Sequence, residues 1–157
     1  MYILNSNLRI LSLLAVFLFS QPILSADPGI NTDANDVAIK GFDTVAFFTQ
    51  NKAVKGSHKY TATYLNAIYH FANAVNRELF RGNPIKYAPQ FGGYCGLGVA
   101  LQKKFDVDPN AFTIVDKKLY MNVNLAARAK WSKNIPGNIK SANKNWVGLK
   151  NRPAEQL

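Results

Sequence analysis

The sequence is poor in the residues from which most catalytic and metal sites are built. It has one cysteine, Cys95, and two histidines, His58 and His70. A lone cysteine excludes an intramolecular disulfide and leaves four states for the thiol: buried and inert, reactive, metal-bound, or joined to another chain. CxxC, HxxxH and HExxH spacings are missing, which excludes the common zinc motifs. There is no P-loop and no nucleophile-elbow serine. "DVDP", residues 106 to 109, lacks the remainder of a calcium loop. Internal repeats and low-complexity stretches are absent. Acids are scarce, nine against 19 lysines and arginines, for a net charge of +10. None lies between Asp116 and Glu155, where Lys117, Lys118, Arg128, Lys130, Lys133, Lys140, Lys144, Lys150 and Arg152 occur.

The start of the chain has the order of a secretory signal: Arg9, an apolar run from Ile10 to Phe19, then the small pair Ser25-Ala26. The run is too short for the 20 or so residues that a membrane-spanning helix needs, and no later run approaches that length. Cleavage after Ala26 leaves about 130 residues, enough for one domain with a core. The expected divisions are a signal peptide at 1–26, a flexible lead-in at 27–38, a domain at 39–150 and a tail at 151–157. An exported basic protein favours an anionic membrane surface or an acidic protein partner. Export excludes nucleic acid as the natural counterpart of this charge.

Within the domain, Asp43 is placed to cap a helical turn that buries Val45, Phe47 and Phe48. Alternating β-branched and aromatic residues predict strands at 59–64 and 67–71, turning at Leu65-Asn66. A second hairpin is expected at 111–115 and 118–122, turning at Asp116-Lys117. Asn73 caps a predicted helix over 74–80 whose Val75, Leu79 and Phe80 face a core. Pro84 opens a short turn to Tyr87. Asn124 caps a helix through "NLAARAKW", and a last helix runs from Pro136 to about Trp146. Its Ile135, Ile139, Ala142 and Trp146 share one face. The fold class is α+β, a small single domain with two β-hairpins and several short helices.

Cys95 is the leading candidate for chemistry. It lies in "GGYCGLG", where Gly92 and Gly93 open a helix with Cys95 in its first turn. Free amides there stabilise a thiolate, which binds Cu(I) or Zn(II) and is a nucleophile. The alternative is a small buried residue, as free cysteine commonly is. His58 is placed in a loop. His70 falls on the outward face of a strand whose Tyr69 and Phe71 face the core. Tyr87, Phe91 and Tyr94 surround Cys95 in sequence, as walls of a pocket or as core.

"IKGFDTVAFF", "AVKGSHKYTATYLNAIYHFANAVNRELFRGNPIKYAPQFGGYCGLGVA" and "FTIVDKKLYMNV" together resemble the exported YHS-domain proteins of bacteria, over about residues 38 to 149. The resemblance implies a YHS-like fold, a periplasmic or secreted location and metal handling, with copper or another soft ion as the cofactor. Cys95 matches the cysteine of that family's glycine segment. Related metal modules use more than one cysteine, so a second soft donor here falls to Met121, to His58 or His70, or to Cys95 of a second subunit in a homodimer. Thr44 and Lys117 depart from the proline and glycine common at those turns. Three readings follow: a metal-binding or metal-delivery module using Cys95, a metal-free binding module with a structural cysteine and a basic C-terminal face, and a thiol redox protein. The first two are non-enzymatic.

Overall fold

The computed structural model describes residues 27–157. The leader read at 1–26 lies outside the described residues. The chain is an α+β fold made of two copies of one small unit, a tight hairpin followed by an asparagine-capped helix. In the first, β1 (Ser57–Tyr64) pairs antiparallel with β2 (Ala67–Phe71), and α2 (Ala74–Gly82) follows. In the second, β3 (Asp108–Val115) pairs with β4 (Lys118–Asn122), and α5 (Leu125–Ser132) follows. The registers match residue for residue. Each hairpin has an irregularity at the same place, between Ser57 and Thr61 in one and between Asp108 and Phe112 in the other. Leu65-Asn66 and Asp116-Lys117 all have positive φ, as two-residue hairpin turns require. Asn73 and Asn124 each accept from a backbone N–H of the third residue on, at 2.9 and 2.8 Å. The repeat escapes sequence inspection because the equivalent faces carry different residues: Phe71 in the first unit corresponds to Asn122 in the second.

Other short helices join the units. α1 (Thr44–Gln50) precedes β1, α3 (Pro84–Tyr87) follows α2, α4 (Gly96–Ala100) precedes β3, and α6 (Ile135–Leu149) closes the domain. Among the described residues no helix is long and apolar enough to cross a membrane. The core has two lobes. One gathers Val45, Phe47, Tyr69, Phe71, Phe80 and Met121 beneath the first unit. The other packs Tyr120, Phe91 and Val99 around Trp131, which is fully buried.

Three expectations about packing are corrected. α2 turns Asn76 and Phe80 inward and leaves Val75 68% and Leu79 41% exposed. The cause is polar: Asn76 donates to the buried Asp43 carboxylate at 2.7 Å, which fixes the rotation of the helix. Phe48 is only half-buried, its ring meeting Tyr87 edge-on. Residues 27–38, expected to be a flexible lead-in, are packed into the domain. Ala38 and Ile30 are buried, Val37 bridges to Ile68, and Asn31 N–H donates to the Gly92 carbonyl at 2.9 Å. The tail at 151–157 packs as well, with Ala154 and Leu157 against the second lobe. One domain therefore spans all the described residues. The apolar side chains of both ends supply the burial that their polar composition disguises.

Candidate functional site

Cys95 sits one residue before α4 and serves as its N-cap. The helix starts at Gly96, so Gly92 and Gly93 do not open it as expected. They belong to a preceding 3-10 turn in which Phe91, Gly92 and Gly93 all have positive φ. The Cys95 sulfur accepts the Gly98 N–H at 3.3 Å, and its S–H points to Asn122 Oδ1 at 3.7 Å. The residue is 1% exposed. Its backbone bridges to Met121 on β4. Both hydrogen-bonding capacities of the thiol are thus engaged inside the fold. Asn122 is itself fully buried, and its Nδ2 has no partner among the described residues.

Of the predicted metal ligands, the fold brings Met121 beside Cys95 and leaves both histidines elsewhere. His58 is exposed on β1 rather than in a loop. His70 is half-buried on β2, its ring beside Gly41. Burial lowers the His70 pKa, and Lys55 and His58 nearby push in the same direction. Among the described residues no three His, Cys, Asp or Glu side chains converge to hold a metal ion. The set Cys95, His58, His70 and Met121 is therefore not a common site, because the histidines lie on the first hairpin while Cys95, at the start of α4, sits beside Met121 on β4.

Tyr87, Phe91 and Tyr94 do not share one pocket either. All three are buried, but Tyr87 belongs to the first lobe and the other two to the second. Tyr94 borders an open cleft of about 570 Å³ with Asp27, Asp106 and Glu155. There Asp106 is already paired with Lys40 at 2.9 Å and accepts from Asn31 at 3.0 Å. Burial alone would raise the Asp106 pKa, but these hydrogen bonds and that of Val107 N–H outweigh it and hold the carboxyl below the usual aspartate value.

Phe91 lines a different cavity, of about 220 Å³, at the seam between the two lobes. Tyr64 and Tyr69 of the first hairpin and Trp146 of α6 line it as well. The Phe91 and Trp146 rings lie 5.8 Å apart at 66°. Tyr69 is 1% exposed, and its hydroxyl has no hydrogen-bond partner among the described residues. Burial, with Tyr64 adding to it, pushes the Tyr69 pKa well above that of an ordinary tyrosine, so the group is a protonated donor. Sequence reasoning placed Tyr69 in the core and missed the cavity, since its walls come from segments far apart in the chain.

Lys104 was also missed. It is 5% exposed, and its ammonium donates to the carbonyls of Pro28 and Lys150, each at 2.9 Å, and to that of Arg152. It also lies over the Tyr94 ring, 4.9 Å from the centroid, and over Trp146 at 5.4 Å. Burial lowers its pKa, while Asp27 and Glu155 oppose the shift. One cation thereby ties both ends of the described chain to the second lobe. Lys104→Met keeps the stem and removes the donors. It is expected to cost about 3 kcal/mol, measured by urea unfolding, with amides at 27–31 and 150–157 losing hydrogen-exchange protection first.

The basic run of the sequence forms a surface. Lys130, Lys133, Lys140, Lys144 and Lys150 on and around α5 and α6 are all exposed, and neither helix contains an acid. Comparison of the chain with protein-family models, with curated protein sequences and with solved structures gave no match.

Proposed function

We propose that this chain is a non-enzymatic binding module acting outside the cytoplasm, in which Cys95 is a structural residue. The observation that carries this reading is the engagement of the buried sulfur by Gly98 N–H and Asn122 Oδ1. A thiol at 1% exposure with both capacities satisfied is poorly placed to attack a substrate or to meet a metal carrier. The resemblance to exported YHS-domain proteins and the signal-like leader support the location. The exposed lysines of α5 and α6 suit an anionic surface, with binding that weakens as salt rises.

The test separates structure from chemistry through the serine variant. Serine is a good N-cap and can make both bonds of the thiol. Cys95→Ser is expected to stay within about 1 kcal/mol of the parent, while Cys95→Ala loses about 1–2 kcal/mol. The native thiol should react with a disulfide reagent only as fast as the domain opens, and a Cu(I) titration against a competing chelator should give the same curve for parent and Cys95→Ser. Tight copper binding lost in the serine variant would instead establish the metal reading, with Met121 as the first partner to examine. Rapid reaction of the folded thiol would establish the redox reading.

A further inference from the structure

We propose that the cavity at the seam of the two lobes binds a small planar ring compound bearing an anionic oxygen. This deepens the binding-module reading and rests on it. The walls set the ring preference. Tyr64, Tyr69, Phe91 and Trp146 all line the space, and aromatic side chains favour stacked or edge-on contacts with another ring, as Phe91 and Trp146 already make with each other at 5.8 Å. The size sets the limit. At about 220 Å³ the cavity falls below the range of about 300–1,000 Å³ typical of drug-sized ligands, so it suits one or two fused rings rather than a peptide.

The polar groups set the charge. The Tyr69 hydroxyl is a buried donor with no acceptor among the described residues, and a buried polar group left unpaired is destabilising. A ligand oxygen supplies the acceptor. Lys150 stands among the lining residues, exposed, and its ammonium makes no ion pair among the described residues. No Asp or Glu lines the cavity. The lining therefore carries one cation, Lys150, and the unpartnered Tyr69 hydroxyl, and no carboxylate to pair with an amine. Access is through an apolar lip, with Leu65 42% and Ile85 77% exposed. Exposed apolar side chains bordering a concave, aromatic-walled space are a feature of ligand sites rather than of plain surface.

The experiment is an NMR titration of the purified protein with benzoate and 1-naphthoate, with benzylamine as the cationic control. The aromatic signals of Tyr64, Tyr69, Phe91 and the Trp146 indole are expected to move saturably with the two carboxylates. Benzylamine should bind at least about tenfold more weakly, a discrimination of one logarithmic step. Tyr69→Phe retains the ring and removes the donor. It should weaken carboxylate binding by about fivefold or more while leaving Tm equal to the parent's or higher, since an unpaired buried hydroxyl has been deleted. Lys150→Glu should reverse the order of carboxylate and amine. The proposal is overturned if no saturable shift occurs up to about 10 mM probe, a limit corresponding to negligible affinity. It is equally overturned if Tyr69→Phe binds as the parent does, or if that variant lowers Tm, which would make the hydroxyl a structural donor. These outcomes are independent of the copper and thiol measurements on Cys95, which decide the binding-module reading by themselves.

Discussion

Asp43→Ala is expected to lower the unfolding free energy by about 4 kcal/mol, a large fraction of the roughly 5–15 kcal/mol typical of a folded domain. The carboxylate is fully buried and accepts four hydrogen bonds. Oδ1 takes the N–H groups of Val45 and Ala46 at 2.9 and 3.2 Å, capping α1. Oδ2 takes Ala72 N–H at 2.8 Å and Asn76 Nδ2 at 2.7 Å, joining α1 to the end of β2 and to α2. Alanine strands four donors at once, two of them on segments about 30 residues away in sequence, and a buried donor left without an acceptor carries its full desolvation cost. Asp43→Asn should be nearly as damaging despite its matching shape. Both oxygens face two donors, so either orientation of the amide sets an NH2 against a pair of N–H groups. Urea unfolding followed by circular dichroism measures both variants. A loss under about 1 kcal/mol in either would mean that the network is not the hub described.

Gly92→Ala should destabilise by about 3 kcal/mol or more and detach the N-terminal segment before the rest unfolds. A Cβ on Gly92 would stand 1.6 Å from the Gly29 carbonyl oxygen, a backbone atom with no rotamer to escape through. That carbonyl cannot withdraw easily, because Asn31 N–H is bonded to the Gly92 carbonyl and Lys104 holds Pro28. The φ of +61° adds a second cost, since the left-handed region disfavours a side chain. The expected sign in hydrogen exchange is early loss of protection at Ile30 and Asn31, while amides of β3 and β4 hold. Uniform loss across the domain would show that the segment is part of one cooperative unit instead.

These two residues mark where the sequence is legible and where it stops. The capping role of Asp43 toward α1 is local, three residues long, and was read directly. Its second oxygen was invisible, because the partners Ala72 and Asn76 are chosen by the fold. The same omission led to Val75 and Leu79 being assigned to the core: helical spacing identifies an apolar stripe, but the Asp43–Asn76 bond decides which stripe turns inward. In the sequence Gly92 is one member of a glycine cluster. That it must be glycine follows only from Gly29, brought to it from the start of the described chain.

By itself the sequence determined the α+β class, both hairpins with their turns at Leu65-Asn66 and Asp116-Lys117, and the capped starts of α1, α2 and α5. Each rests on interactions within a few residues: period-two alternation, a two-residue turn, a side-chain oxygen meeting an amide three positions on. Tertiary structure alone decided that both ends of the described chain fold into the domain, that Lys104 binds them, and that the two histidines stand apart from Cys95. It also decided that Cys95 is enclosed by Asn122 and that Tyr69 faces a cavity shared with Trp146. Those outcomes depend on which distant segments lie side by side. A buried thiol, hydroxyl or ammonium takes its character from the groups that replace its water, and here these come from beyond its own element.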